Sequence, residues 1–162
     1  MFLPEKQVKT LRLNNRKNML KQITDISVVT IPMINKFQNT WSFVKIDLLP
    51  GKNWIPLKIT SGSSEFSEKP KVTDSGVMYE QKIKTEISSS HLDRTILQLE
   101  QFHLLVRITY NDNSIEIIGC PDFPVRLTTE LNVKQSSYYK FEFNCSTIYK
   151  AFRLLDWRPF FP

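Results

Sequence analysis

Few side chains in this sequence could carry covalent or acid–base chemistry. Cys120, in the run "GCPDFP" at 119–124, is the first candidate, since a thiol beside a base or a cation becomes a nucleophile. His91 and His103 are the two imidazoles available, and neither forms a local nucleophile motif with Cys120. The flanking residues favour a structural role: Gly119 permits an unusual backbone angle, and Pro121 and Pro124 stop a strand from continuing. Cys120 therefore reads as part of a bend between strands.

The second cysteine, Cys145, stands far outside any C-x-x-C spacing, so the two read as reduced, buried thiols. A zinc site would need carboxylates from unrelated segments and is not expected. "NCS" at 144–146 matches a glycosylation acceptor by chance, given an N-terminus without the pattern of a signal peptide. In "HLD" at 91–93 the carboxylate of Asp93 is better placed to cap a helix than to orient His91. Neither GxxxxGK[ST] nor GxGxxG occurs, so no phosphate loop is expected. With no catalytic, cofactor-binding or metal-ligating set in view, the expectation is a non-enzyme without cofactors.

The elements that would hold such residues are mostly strands. A chain of 162 residues with 41% apolar and 23% charged content is sized for one globular domain. No stretch approaches the roughly 20 apolar residues of a membrane helix, so no membrane partner is expected. "GVMYEQKIKTEI" at 76–87 is the cleanest alternation: Val77, Tyr79, Gln81, Ile83, Thr85 and Ile87 share one parity and charged residues occupy the other. "FHLLVRITY", the turn "NDN" and "SIEIIG" read as a hairpin, followed by strands in "VRLTTELNV" and "YYKFEFNCST". "TWSFVKIDLL" at 40–49 suits a central strand. "SVVTIPMI" is demoted to an edge or an extended connection by Pro32. "SSHLDRTILQLEQF" breaks the alternation and predicts a short helix or turn. Strand, turn, strand without long helices predicts a mainly β fold, an antiparallel β-sandwich or barrel-like domain with one or two short helices.

The charge is concentrated at one end. Residues 1–22 hold Lys6, Lys9, Arg12, Arg16, Lys17 and Lys21 against the single acid Glu5, which is +5 of the overall +6. The rest of the chain is nearly neutral. The expected organisation is a basic N-terminal arm or helix at 1–27, a single β-sandwich domain at 28–156 with a long loop or hairpin arm at 60–75, and an aromatic tail at 157–162. The basic residues could meet DNA phosphates or an acidic protein, or form a solvated helix. In the tail "DWRPFFP", Trp157, Phe160 and Phe161 stand beside two prolines and must dock on this domain or a neighbour. The rings of "YYKFEF" fit either a sandwich core or a stacking platform for single-stranded nucleic acid, with the core favoured.

"LLVRITYNDNSIEIIGCPDFPVRLTTEL" followed by "YYKFEFNCSTIYKAF" resembles a group of small structural proteins of tailed phages and prophages of Bacteroidetes bacteria. The likeness covers roughly the C-terminal half and rests on turn residues and alternation. It implies a virion protein assembled in the bacterial host cytoplasm: a head-tail connector, tail terminator or other ring protein, in roughly six or twelve copies beside neighbouring connector or tail proteins. Phe66 in the 60–75 segment, with Trp157, Phe160 and Phe161, would then make subunit contacts, and the basic arm could face DNA in a lumen. Two other readings stay open: a nucleic-acid-binding β-barrel, and an enzyme built around Cys120, His91 or His103.

Overall fold

Residues 20–155 are described by the structure, a computed structural model in which period-two alternation decides most of the chain. Eleven strands result: β1 (Ile23–Thr30), β2 (Ile34–Asn39), β3 (Phe43–Leu48), β4 (Ile55–Leu57), β5 (Glu65–Thr73), β6 (Gly76–Ser88), β7 (Leu104–Tyr110), β8 (Ile115–Ile118), β9 (Arg126–Val133), β10 (Ser137–Thr147) and β11 (Phe152–Leu154). They form a seven-stranded sheet, β2-β3-β11-β8-β7-β1-β4, and a four-stranded sheet, β5-β6-β10-β9. All pairs are antiparallel except β11 with β3, which run parallel. The expected mainly β architecture is what forms.

The larger sheet is rolled. β1 and β2 stand sixth and first in its order, yet only the 3-10 turn Ile31–Met33 separates them. In a flat sheet those positions would lie roughly 24 Å apart, while three residues reach about 10 Å. The sheet therefore curls until its ends approach. Across the turn the chain changes partner: Ile31 N–H donates to the His103 carbonyl (3.0 Å), and the Met33 carbonyl accepts from Leu49 N–H (2.9 Å).

Rolling gives the sheet two apolar faces. Ile26, Val28, Val106, Ile108 and Ile118 pack outward against Ile83, Ile87, Leu127, Phe141 and Phe143 of the four-stranded sheet. Val44, Ile117, Cys120 and Phe152 form a second cluster with Phe37, Ile46, Trp54 and Tyr149 around them. Ile117 and Ile118 thus serve different cores, as neighbours on a strand must.

Several expected boundaries move. β1 starts at Ile23, so residues 23–27, expected in the basic arm or helix, belong to a strand. β1 is no edge: it lies between β7 and β4 and is buried on both faces from Ile26 to Thr30, because Pro32 falls in the turn after it. Of the two forms expected for the 60–75 segment, the hairpin arm is the one present: residues 65–73 pair along β6 from Glu65 opposite Lys84 to Thr73 opposite Gly76. Serine, lysine and threonine on its outward face gave that strand the polarity of a loop. The short helix at Arg94–Gln101 is 3-10, and Asp93 caps it by accepting from Thr95 N–H (3.0 Å).

Candidate functional site

The bend at Cys120 is built from main chain. Gly119 has a φ of 85°, Cys120 N–H donates to the Phe123 carbonyl (3.1 Å), and Phe123 N–H donates back to the Cys120 carbonyl (3.0 Å). Cys145 Sγ–H donates to that same Phe123 oxygen (3.3 Å). Both thiols are buried and free. Burial raises the Cys120 thiol above its ordinary value and pushes Cys145 up to about 12. Each is held protonated, the opposite of an activated nucleophile. His91 and His103 are exposed, and no hydrogen bond joins either to a thiol among the described residues.

The residues singled out from the sequence do not converge. Lys6, Lys9, Arg12, Arg16, Lys17, Trp157, Phe160 and Phe161 lie outside the described residues. Lys21 is engaged by its own domain: Nζ sits 3.9 Å over the Tyr110 ring and 3.5 Å from Glu116 Oε1, while Tyr110 Oη donates to Glu116 Oε2 (2.6 Å). Burial, then that hydrogen bond, raises the Tyr110 phenol. Phe66, expected at a subunit contact, is half-buried with its ring packed against the inter-sheet core. Phe141 and Phe143 are 1% exposed, so these rings of β10 fill the core and cannot serve as a stacking platform.

On its solvent face the four-stranded sheet is a charge checkerboard. A shallow trough of about 690 Å³ runs over Lys84 and Lys140 with Glu86, Glu130 and Glu142 between them. Lys82 pairs with Glu142 and Lys71 with Glu80, each at 3.2 Å. The Asn144 side chain, followed by Lys82, holds Glu142 below the usual carboxylate range. Interleaved signs cancel the field that a phosphate backbone would seek.

Nothing in the chain's wider likeness to known proteins directs the reading further. It matches no protein-family model, no curated protein and no solved structure.

The least ordinary feature is the far end of the β5–β6 hairpin. β10 accompanies β6 only as far as Thr147 opposite Tyr79, whereas β5 and β6 stay paired on to Thr73 opposite Gly76. The last pairs overhang the sheet. Val72 stands opposite Val77 there, and these apolar side chains are 83% and 47% exposed. The hairpin is fastened near its middle: Glu68 Oε2 accepts from Gln81 Nε2 (2.8 Å) and from Ala151 N–H (2.7 Å) in the crossover from β10 to β11. An exposed ring, Trp41 at 72%, lies in the turn between β2 and β3, tilted on Tyr149 at 5.4 Å.

Sequence reasoning missed Glu68, Val72 and Trp41. Val72 had a legible signal, a lone valine beside a D-S-G turn. The exposure of Trp41 had none, because it follows from β3 starting three residues later than the alternation of 40–49 suggests. Among the described residues no group of three or more His, Cys, Asp or Glu could hold a metal ion. Contact through exposed apolar tips and strand edges is the chemistry this arrangement offers.

Proposed function

We propose that this chain is a structural subunit of a tailed-phage virion, a ring-forming component of the head-tail connector, neck or tail that works by assembly. The observation that carries the reading is the overhang of β5 and β6 with Val72 and Val77 exposed at its end. A paired hairpin keeps its direction without a supporting layer, and its valines gain burial only against another surface. The resemblance of residues 102–150 to small phage and prophage structural proteins supplies the kind of assembly. A projecting arm reaching an adjoining subunit is how a small sandwich builds contacts beyond its own faces.

The test is quantitative mass spectrometry of purified phage or prophage-induced particles, scaled to the major capsid protein. A reproducible copy number of roughly six or twelve per particle is expected for a closed ring. Absence from intact particles overturns the reading.

A further inference from the structure

A shallow hollow of about 430 Å³ opens on the outer face of the rolled sheet, bordered by Lys21 and Leu154 close to both ends of the described chain. Its floor is one row across three strands. Phe43 on β3 and Glu116 on β8 are both register partners of Arg153 on β11, so the three side chains share a face. Phe152 and Leu154, of opposite parity, belong to the second apolar cluster instead. No described residue of β3 or β11 enters the inter-sheet core, so the four-stranded sheet leaves this corner uncovered. Phe43 is accordingly 41% exposed, and Leu155, two residues past Arg153 on the same face, is 49% exposed.

We propose that this hollow is the seat of Trp157 from the same chain. Leu155 N–H donates to the Val44 carbonyl (3.0 Å), which fixes the exit of the chain at the rim. Trp157 follows two residues later, and about 7 Å of chain lets its ring turn back over Leu155 and Phe43. An indole suits these walls: its face can lie on the Arg153 guanidinium while its edges meet the two apolar side chains. Its N–H finds an acceptor in Asp112, which borders the hollow and uses only Oδ1 to accept from Ser114 N–H (2.9 Å) and Oγ–H (2.6 Å).

The other end of the chain is the poorer occupant. Arg16 and Lys17 would bring further cations to a hollow where Lys21 and Arg153 already stand, and Glu116 is taken by Lys21 and Tyr110. Seating Trp157 on its own domain leaves Phe160 and Phe161, beyond Pro159, as the rings the tail can offer a neighbour. The seat does not rest on the virion reading.

Fluorine NMR of the full chain labelled with 5-fluorotryptophan tests it. Trp41, Trp54 and Trp157 each give one resonance, assigned by single Trp→Phe variants, and a soluble paramagnetic chelate reports how open each ring is. Trp41, 72% exposed, is the reference for an open ring, and Trp54, stacked with Arg107 at 5.0 Å, reports that the fold is intact. Trp157 is expected to broaden severalfold less than Trp41 at every protein concentration. Phe43→Ser removes one wall at a site already part-exposed, so the fold should persist while Trp157 opens toward the level of Trp41. Leu155→Ser removes the rim and decides alone if the first variant fails to fold. A Trp157 as open as Trp41 in the unaltered chain overturns the proposal. Shielding that survives the substitutions in a folded chain also overturns it, because the ring would then be seated elsewhere. Shielding that appears only as concentration rises does the same, by giving the ring to a second copy. Particle copy number bears only on the virion reading, so the two fail separately.

Discussion

The β7–β8 and β5–β6 hairpins share one grammar and meet opposite fates. In the first, Leu104, Leu105, Val106, Ile108 and Tyr110 are buried on β7 and Ile117 and Ile118 on β8. Its turn is closed by Asn113 at a φ of 63° and by Asp112 Oδ1 accepting from Ser114 N–H (2.9 Å). In the second, burial begins only at Gln81, and everything nearer the turn is open to solvent or half-buried. Both hairpins contain β-branched residues and polar turns, so propensity does not separate them. Neighbours do: β7 runs between β1 and β8 with Leu104, Val106, Ile108 and Tyr110 in the inter-sheet core, whereas the end of β5 and β6 has no third strand beside it. A strand's burial is thus a property of the sheet around it, and the unsupported end is free to change without cost to folding.

The most direct way to break that contrast is to truncate equivalent aliphatic side chains in both hairpins. Ile108→Ala in β7 removes a fully buried side chain from the inter-sheet core and should cost about 2–5 kcal/mol in urea unfolding. Val72→Ala should stay within about 0.5 kcal/mol. Similar losses at both sites would mean that the overhang is packed in solution and the contrast is wrong.

The glycines draw the same line. A Cβ on Gly119, which leaves β8 at a φ of 85°, would lie 2.8 Å from Val125 Cγ2 and 3.3 Å from the Phe123 carbonyl. Left-handed strain and overpacking against a buried valine together predict a loss of about 2–4 kcal/mol for Gly119→Ala. Gly62, in the turn before β5, has a φ of 76° with no atom within 4 Å of the added Cβ. Only the strain remains there, so Gly62→Ala should cost about 1 kcal/mol by thermal unfolding.

Alkali gives a smaller effect with a definite sign. Burial pushes the Cys145 thiol from its ordinary 9.0 to about 12, so the native state keeps a proton that the unfolded chain releases. The stabilisation is complete below the unfolded value and erodes as pH rises from about 9 toward 12, at up to about 1.4 kcal/mol per pH unit for one proton. Tyr110, also raised by burial, adds to the fall at the upper end. Cys145→Ala should flatten the slope of unfolding free energy most clearly between about pH 9 and 10, below the tyrosine's ordinary value of 10.0. An unchanged slope would place the lost proton elsewhere.

How much of this could be read from residues alone depended on whether the signal was local. The alternation at 76–87, the N-D-N turn, the Asp93 cap and the bend at Gly119–Pro124 each depend on a few adjacent residues, and each is present in the structure. The roll of the large sheet was not legible, because it follows from β1 and β2 taking partners far apart in the chain. Pro32 looked like a defect in one strand when it marks a change of partner between two. The half-buried place of Phe66 was not legible either, because the register of β5 against β6, which local sequence does not specify, turns its ring toward the core. For the candidate contact surface, the exposed valines were visible as residues but not as exposed, since exposure depends on where β10 ends.

The smallest expected change in stability carries the sharpest test of what the overhang is for. Val72→Thr with Val77→Thr keeps both residues β-branched and nearly the same shape while replacing one methyl of each with a hydroxyl. At sites 83% and 47% exposed the hydroxyls meet water, so unfolding should move by less than about 0.5 kcal/mol. If the valines are buried against another subunit, each hydroxyl loses water there and costs about 1–3 kcal/mol, which is about 5- to 150-fold in affinity at each contact. A ring repeats that contact at every subunit, so incorporation into particles should fall by more than any one contact predicts. Wild-type copy number from the doubly substituted, fully folded chain would show that the overhang touches nothing in the assembly, and the arm would then stand as an exposed end with no demonstrated contact.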